Sequence, residues 1–405
     1  MDALGAVRPA TLRVPGWLKL LGPAFAVSIG YIDPGNWASD LAAGAYRYSL
    51  LWVIVAANAI AIVMQVAVTR VTIATGEDFA TLIARRWKRW SPGFWFAFQG
   101  AVIATDLAEF TGIVLGAELL FNLTLAWSVV FGLVVVGLLL LTAGRRMRLF
   151  DVAMLLAIAA ISFVYVDLLA AVHPDAGAVL RGAVIPQIKD AGALVIVVAI
   201  IGATVMPHNL FLHSWLVKKR CEGAAPDVRR GYERFYLKET LVALNIAALL
   251  NGAILIVGAS LHGHPASIQD AFAALGTSGA ISLSQLFGAA LLVSGIAAST
   301  TATLSGDSIV AAFSPVRISP TLRRSVAVIP AAALLLLHVD ATALLLWSQT
   351  ALCLILPIAL VPLAALLFRV EIEKRARPAR SLFSMMVVAT TLCIAVDAVL
   401  LYQTF

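Results

Sequence analysis

Charge is scarce in this chain: Asp, Glu, Lys and Arg make up 13% of its 405 residues, against about 25% in an ordinary soluble domain. Cysteine is scarcer still. Cys221, Cys353 and Cys393 are scattered, which excludes a disulfide framework or a Cys-based zinc site. No low-complexity tract, soluble domain, nucleotide motif or nucleophile–base pair stands out. The first apolar stretch runs into a long span with no A-x-A-like site, so no cleavable signal peptide is expected. What fills the space is apolar: 61% of the residues are hydrophobic and the mean hydropathy is +0.96. A water-soluble core cannot hold that much apolar surface, so the chain reads as an integral membrane protein with the lipid bilayer as its solvent.

A helix needs about 20 apolar residues to cross the hydrocarbon. Eleven stretches qualify as candidates: 20–45, 50–73, 94–121, 126–143, 149–172, 192–217, 239–261, 282–313, 325–338, 341–368 and 381–403. The ninth is the shortest. With a cytoplasmic N-terminus, the cytoplasmic segments hold 26 of the 29 Lys and Arg residues, and the opposite face keeps Arg47, Arg181 and Lys189. That asymmetry follows the positive-inside rule. It explains the net charge of +7 without a nucleic-acid partner, and it puts the C-terminus outside. The longest cytoplasmic connection, 218–238, is basic.

Two spans are broken near their middles. The first reads Tyr31-Ile32-Asp33-Pro34-Gly35-Asn36 and the sixth Ala203-Thr204-Val205-Met206-Pro207-His208-Asn209. A lone Pro-Gly in a span is an ordinary kink, its freed groups satisfied locally. Two breaks five spans apart, each flanked by polar side chains, point instead to inverted repeats with a transport site between them. The organisation expected is a cytoplasmic segment 1–19, a five-helix repeat 20–172, an inverted repeat 173–368, and a loop with an extra helix, 369–405.

Asp33 is a carboxylate at mid-membrane, where an uncompensated charge costs ~2.5–3.5 kcal/mol on insertion scales, so a cation is its natural partner. Asn36 offers a neutral oxygen. Pro34 and Pro207 have no N–H and free the carbonyls four residues back, those of Gly30 and Ala203. Met206 selects the class of ion, because a thioether suits softer transition metals and contributes little to Mg²⁺ or Ca²⁺. Methionine in an apolar span is ordinarily packing, but this one immediately precedes the helix-breaking proline. Away from the breaks, Asp106 and Glu109 share a helix face, and His208 and His213 follow the second break. Chains of such groups relay protons in membranes. Each could also be a paired structural group, His213 most readily. Glu118 and Asp167 lie nearer span ends, and Asp151 reads as a charge partner of Arg145–Arg148.

These segments together resemble the natural resistance-associated macrophage protein (NRAMP) family of proton-coupled Mn²⁺/Fe²⁺ transporters. The resemblance runs from about residue 15 to 368. It rests on Asp33-Pro34-Gly35-Asn36, Met206-Pro207-His208, Ala104-Thr105-Asp106-Leu107-Ala108-Glu109, and Ser348-Gln349-Thr350 with Pro357 beyond. It implies an all-α fold of the LeuT type, a 5+5 inverted repeat plus an extra helix, with helices 1 and 6 broken. It implies metal ligation by Asp33, Asn36, Met206 and the Ala203 carbonyl, joined in some states by Gln349 and the Gly30 carbonyl. The implied proton route comprises Asp33, His208, Asp106, Glu109 and the paired Arg323 and Arg324.

The sequence departs from the family pattern at Asp307, where a Gln is usual, and through Val310-Ala311-Ala312 before Phe313. It departs also at Asp151, where a Glu is common, and at Glu239, where an Asp is usual. These departures lie away from the expected ligands and bear on gating and oligomer contacts. The expected function is uptake of Mn²⁺ and Fe²⁺ with protons across the cytoplasmic membrane by alternating access. The metal and the protons are substrates rather than cofactors, and no obligate protein partner is implied. A sodium-coupled organic-solute symporter of the same fold is disfavoured by the negative charge of Asp33. A passive metal channel is the other alternative, and an enzyme is not expected.

Overall fold

The computed structural model describes residues 22–142, 147–222, 226–276, 282–314, 318–373 and 380–404. The 1–19 segment and Arg145, Arg146, Arg317, Lys374, Arg375 and Arg377 lie outside them, as do the side chains of Arg148 and Asp151. Among the described residues every regular element is helical: α1 Pro23–Ser28, α2 Pro34–Gly44, α3 Leu51–Thr75, α4 Phe79–Arg86, α5 Ser91–Phe121, α6 Leu125–Thr142, α7 Met147–Val172, α8 Ala176–Val184, α9 Ala191–Thr204, α10 Pro207–Cys221, α11 Pro226–Ser260, α12 Ile268–Leu275, α13 Leu283–Phe313, α14 Pro320–Leu336, α15 Ala341–Glu373 and α16 Arg380–Thr404, with short 3₁₀ turns at Ile29–Ile32 and Lys88–Trp90. Eight helical segments are long and apolar enough to cross a bilayer, counting α9 with α10 as one. The three remaining expected spans correspond to α1 followed by α2, to α6 and to α14, where no single helix exceeds 18 residues.

Two expectations change. The 218–238 connection is mostly helix, because α10 runs to Cys221 and α11 starts at Pro226. The expected 325–338 span starts at Pro320, so Arg323 and Arg324 stand in the first turns of a helix and are buried rather than in a solvated loop. Arg324 is 1% exposed, and such burial requires partners on neighbouring helices.

Small residues let helices approach where no hydrophobic force drives them together in lipid. A Cβ on Gly116 of α5 would come 2.8 Å from Leu292 Cα, and one on Gly295 of α13 would come 3.0 Å from Ile113. Gly112 lies against the Pro34 ring, with no room for a side chain. On α2, Trp37 is fully buried and meets Tyr165 and Phe287 edge-on, at 5.2 and 5.1 Å.

The short helix α4 packs against α10. Phe79 stacks on Phe211 at 5.1 Å, and its N–H donates to Ser214 Oγ at 3.0 Å. Lys218 Nζ donates to Glu77 and Asp78, each at 2.9 Å. The hydrogen bond from Lys218 holds Glu77 below its usual carboxylate range. A depressed carboxylate stabilises the fold above its unfolded value and loses that contribution as pH falls through the folded one, so acid loosens this clasp.

Candidate metal and proton site

At the first break the backbone leaves the helix at Asp33, with φ −70° and ψ 166°. Asp33 Oδ1 accepts from Asn36 N at 2.8 Å, capping α2. At the second break, Val205 and Met206 are non-helical, and α10 restarts at Pro207. The local reason is the same in both places: a proline at the first helical position has no N–H to place and is preorganised for the helix.

The breaks face each other. With its amide oriented to suit its neighbours, Asn36 Nδ2 donates to Ala203 O at 3.1 Å and to Asp33 Oδ1 at 2.7 Å, while its oxygen accepts from Asn251 Nδ2 at 3.0 Å. The fold therefore brings Asp33, Asn36 and the Ala203 carbonyl together. Met206 is 1% exposed, and its sulfur accepts from Asn209 Nδ2 at 3.5 Å. Gly30 lies against Asn209, whose side chain would be 2.8 Å from a Cβ there. Gln349 of α15 lies against Gly35, where no Cβ would fit, and its backbone carbonyl presses on Gly202. The carbonyls of Tyr31 and Ile32 are taken by side chains: Asn251 Nδ2 donates to Tyr31 O at 2.9 Å, and Ser294 Oγ and Trp37 Nε1 donate to Ile32 O at 2.5 and 3.3 Å.

Several buried atoms around the breaks lack a hydrogen-bond donor: Asp33 Oδ2, Gln349 Oε1 and Asn209 Oδ1. All three are oxygens with lone pairs to give. Buried polar atoms are ordinarily satisfied, and a set of orphaned acceptors around one carboxylate fits a cation. No group of three or more His, Cys, Asp or Glu side chains with metal-holding geometry occurs among the described residues.

The titratable groups form a second assembly. Asp106 and Glu109 converge on Arg324, whose Nη2 lies 3.4 and 3.5 Å from them. Arg324 also donates to Ser299 O and Ser299 Oγ at 2.8 and 2.6 Å, and to Thr303 Oγ1. Arg323 Nη2 donates to Thr303 O at 2.9 Å and pairs with Asp307 Oδ1 at 3.2 Å. Gly306 leaves the space that the Arg323 guanidinium fills. His208 Nδ1 meets Thr105 Oγ1 at 3.0 Å rather than Asp106. His213 Nδ1 meets Gln65 Oε1 at 2.5 Å, and Gln65 Nε2 donates to the Tyr31 hydroxyl at 2.5 Å. Those bonds link His213 to the first break.

Sequence reasoning missed Asp40, Asn209, Asn251 and Ser294, and it set Asp307 apart from the site. Asp40 was readable, being a second carboxylate in the first span. It is 1% exposed, neither of its oxygens has a partner, and it lies within electrostatic reach of Asp33 and Tyr165. Asn251 is one of two amides in the apolar part of α11, with Asn245, and no local signal shows that it bridges two carbonyl oxygens. The Glu239 departure has a local role: its Oε1 accepts from Phe25 N at 3.1 Å at the start of α1. Glu118 lines a cavity of about 170 Å³ with Gln269, His338 and Asp340. All three cysteines are buried, and none is in a disulfide among the described residues.

A helical bundle with two broken helices around a buried, cation-fitting cluster defines a membrane transport protein of the LeuT type. The family model described as natural resistance-associated macrophage protein-like matches residues 24–403, and the chain belongs to that family; it is a transporter, not an enzyme. It is 38% identical to the divalent metal cation transporter MntH of Verminephrobacter eiseniae, with 99% of this chain and 92% of that protein covered. It is 36% identical to MntH of Deinococcus radiodurans, with 95% and 90% covered. Among solved structures it is similar to a variant of the Eremococcus coleocola manganese transporter, at a TM-score of 0.76 and 26% identity over 96% of each chain. The nucleobase-cation-symport-1 family transporter Mhp1 shares the fold alone, at a TM-score of 0.53 and 17% identity over 95% of this chain and 93% of that one.

Proposed function

We propose that the chain imports divalent transition-metal ions, Mn²⁺ and also Fe²⁺, together with protons across the cytoplasmic membrane. One observation carries the reading: buried oxygens without a donor, on Asp33, Gln349 and Asn209, line the two helix breaks, and the Asn209 amide also reaches the Met206 thioether. The names of the MntH relatives and of the manganese transporter support the substrate class. Asp33, Asn36, Met206 and the Ala203 carbonyl are the ligands, and Gln349 and the Gly30 carbonyl complete the shell as the helices move. The two halves, 20–172 and 173–368, act as inverted repeats, and alternating access exposes the cluster to each side in turn. Asp33, Asn36 and Gln349 are at most 1% exposed, consistent with closure on both sides.

Protons travel on the second assembly. Asp106, Glu109 and Asp307 supply three carboxylates against the two guanidiniums of Arg323 and Arg324, so the cluster is one charge short of neutral until it binds a proton. Solvent reaches it through Asp307, whose side chain is 39% exposed, against 5% for Arg323 and 1% for Arg324. On the positive-inside orientation this end faces the cytoplasm. Asp307→Asn is expected to shift the pH dependence of uptake and slow metal-driven proton flux, with metal affinity within about twofold of wild type. Unchanged proton flux would remove Asp307 from the route.

Met206→Ala tests why the site has a soft ligand. The variant still transports Mn²⁺, held by Asp33, Asn36 and the carbonyls. Cd²⁺ affinity falls most, by ~tenfold or more, which is ~1.4 kcal/mol. Ca²⁺ and Mg²⁺ become competitors, because softness no longer discriminates. Uptake of Mn²⁺ and Cd²⁺ under rising Ca²⁺ and Mg²⁺ measures this. A variant as selective as wild type, with Cd²⁺ affinity intact, would make Met206 packing.

The deciding experiment for the function as a whole is Mn²⁺ uptake into proteoliposomes with internal pH recorded together. Uphill accumulation driven by a pH gradient, with the lumen acidifying as metal enters, is the expected result. Uptake that only dissipates the metal gradient would mean a channel.

A further inference from the structure

The three basic residues assigned to the face opposite the basic loops are Arg47, Arg181 and Lys189. The fold brings all three to one open cavity of about 450 Å³. Arg47 lies in the turn between α2 and α3, in the left-handed region at φ 56°. Arg181 lies on α8, and Lys189 in the segment leading to α9. The nearby carboxylates are already engaged with helix ends. Asp175 Oδ1 accepts from Gly177 N and Ala178 N at 2.9 and 3.2 Å. Asp190 Oδ1 accepts from Ala193 N and the Tyr46 hydroxyl at 2.8 and 2.9 Å. Hydrogen bonding leaves both carboxylates charged, and Lys189 lies within electrostatic reach of Asp190, so the three cations stand against two carboxylates and the cavity keeps a surplus of positive charge.

A second observation concerns the outer side of α8. Gly182 faces inward, with the Tyr48 carbonyl leaving no room for a Cβ. Leu180 and Val184, one turn apart on the opposite side, are 67% and 68% exposed, and Ile185 and Ile188 that follow are each 48% exposed. An apolar ridge turned away from the protein beside basic side chains is the pattern of a helix lying in the membrane interface. The aromatic side chains agree. Trp52 Nε1 donates to Gln187 O at 3.4 Å, and Tyr46 and Tyr48 line the same cavity. Trp and Tyr gather at headgroup level.

We propose that this cavity binds the phosphate headgroup of an anionic phospholipid, with the α8 ridge seated among the acyl chains. The three cations supply the charge recognition, and Leu180 and Val184 distinguish a lipid from a free anion. Because the cavity is built on the turn that ends α2, the lipid braces the outer end of the helix that carries Asn36.

The test is native mass spectrometry of the full chain in detergent, with phosphatidylglycerol, phosphatidylcholine and inorganic phosphate as probes. Wild type is expected to retain one phosphatidylglycerol in preference to phosphatidylcholine by about tenfold or more. Each of Arg47→Gln, Arg181→Gln and Lys189→Gln should weaken that preference by about fivefold, and the triple variant should abolish it. Leu180→Ser with Val184→Ser should weaken phosphatidylglycerol and leave inorganic phosphate unchanged. Mn²⁺ uptake in phosphatidylcholine vesicles checks that each variant folds, and the single variants carry the test if the triple does not. The proposal is overturned if the charge variants keep the wild-type preference. It is overturned equally if inorganic phosphate displaces the lipid at similar concentration and the ridge variants change nothing, which would make this a free-anion site.

Discussion

Asp33→Asn is expected to abolish metal uptake, by at least ~100-fold, while the protein folds and reaches the membrane. Asn is nearly isosteric and keeps an oxygen to accept from Asn36 N, so the α2 cap survives. What it removes is the one formal negative charge at either break. Neutral donors alone cannot replace the hydration of a divalent ion, because a charged ligand in a low-dielectric site contributes far more than a dipole. On the proposed role of Asp33 as both metal ligand and proton-linked group, metal-driven proton flux is expected to disappear with uptake. Radioactive Mn²⁺ uptake and internal pH, read on the same vesicles, check both. Wild-type uptake in Asp33→Asn would move the site elsewhere.

Arg324→Leu is expected to be the most destabilising single change in the proton assembly. Arg324 is 1% exposed and faces Asp106 and Glu109, each equally buried. Removing one partner of a buried charge group costs ~3–5 kcal/mol, because the other charge is left uncompensated. The expected outcome is a large loss of thermal stability in detergent. Adding Asp106→Asn and Glu109→Gln to Arg324→Leu removes the orphaned charges and should restore most of the stability. It should not restore proton flux. If the triple variant is as unstable as Arg324→Leu alone, Arg324 contributes through its bonds to Ser299 and Thr303 rather than by pairing the carboxylates.

The difference between these two expectations reflects how differently the two assemblies could be read. Asp33, Pro34, Asn36, Met206 and Pro207 lie within two short segments, and proline chemistry is local. The breaks, the carboxylate and the thioether beside them are therefore legible before any packing is known. Arg323 and Arg324 were legible only as charge. Counting them among cytoplasmic loop residues says nothing of their surroundings, because burial depends on what α14 packs against. Asp307 stood out as a departure, yet its meaning depended on a guanidinium sixteen residues onward filling the space beside Gly306.

By itself the sequence determined the solvent, the helical class and the two breaks. Scarce charge and long apolar runs leave the backbone no hydrogen-bonding partner but itself, and proline interrupts that pattern wherever it falls. Only the tertiary structure decided which atoms meet. The Ala203 carbonyl reaches Asn36, Asn251 crosses from α11 to bridge the first break, and Arg324 gathers two carboxylates from α5. Each of these contacts joins residues far apart in the chain, where no periodicity or spacing registers them. Their geometry is fixed by how closely glycine-lined helices can approach.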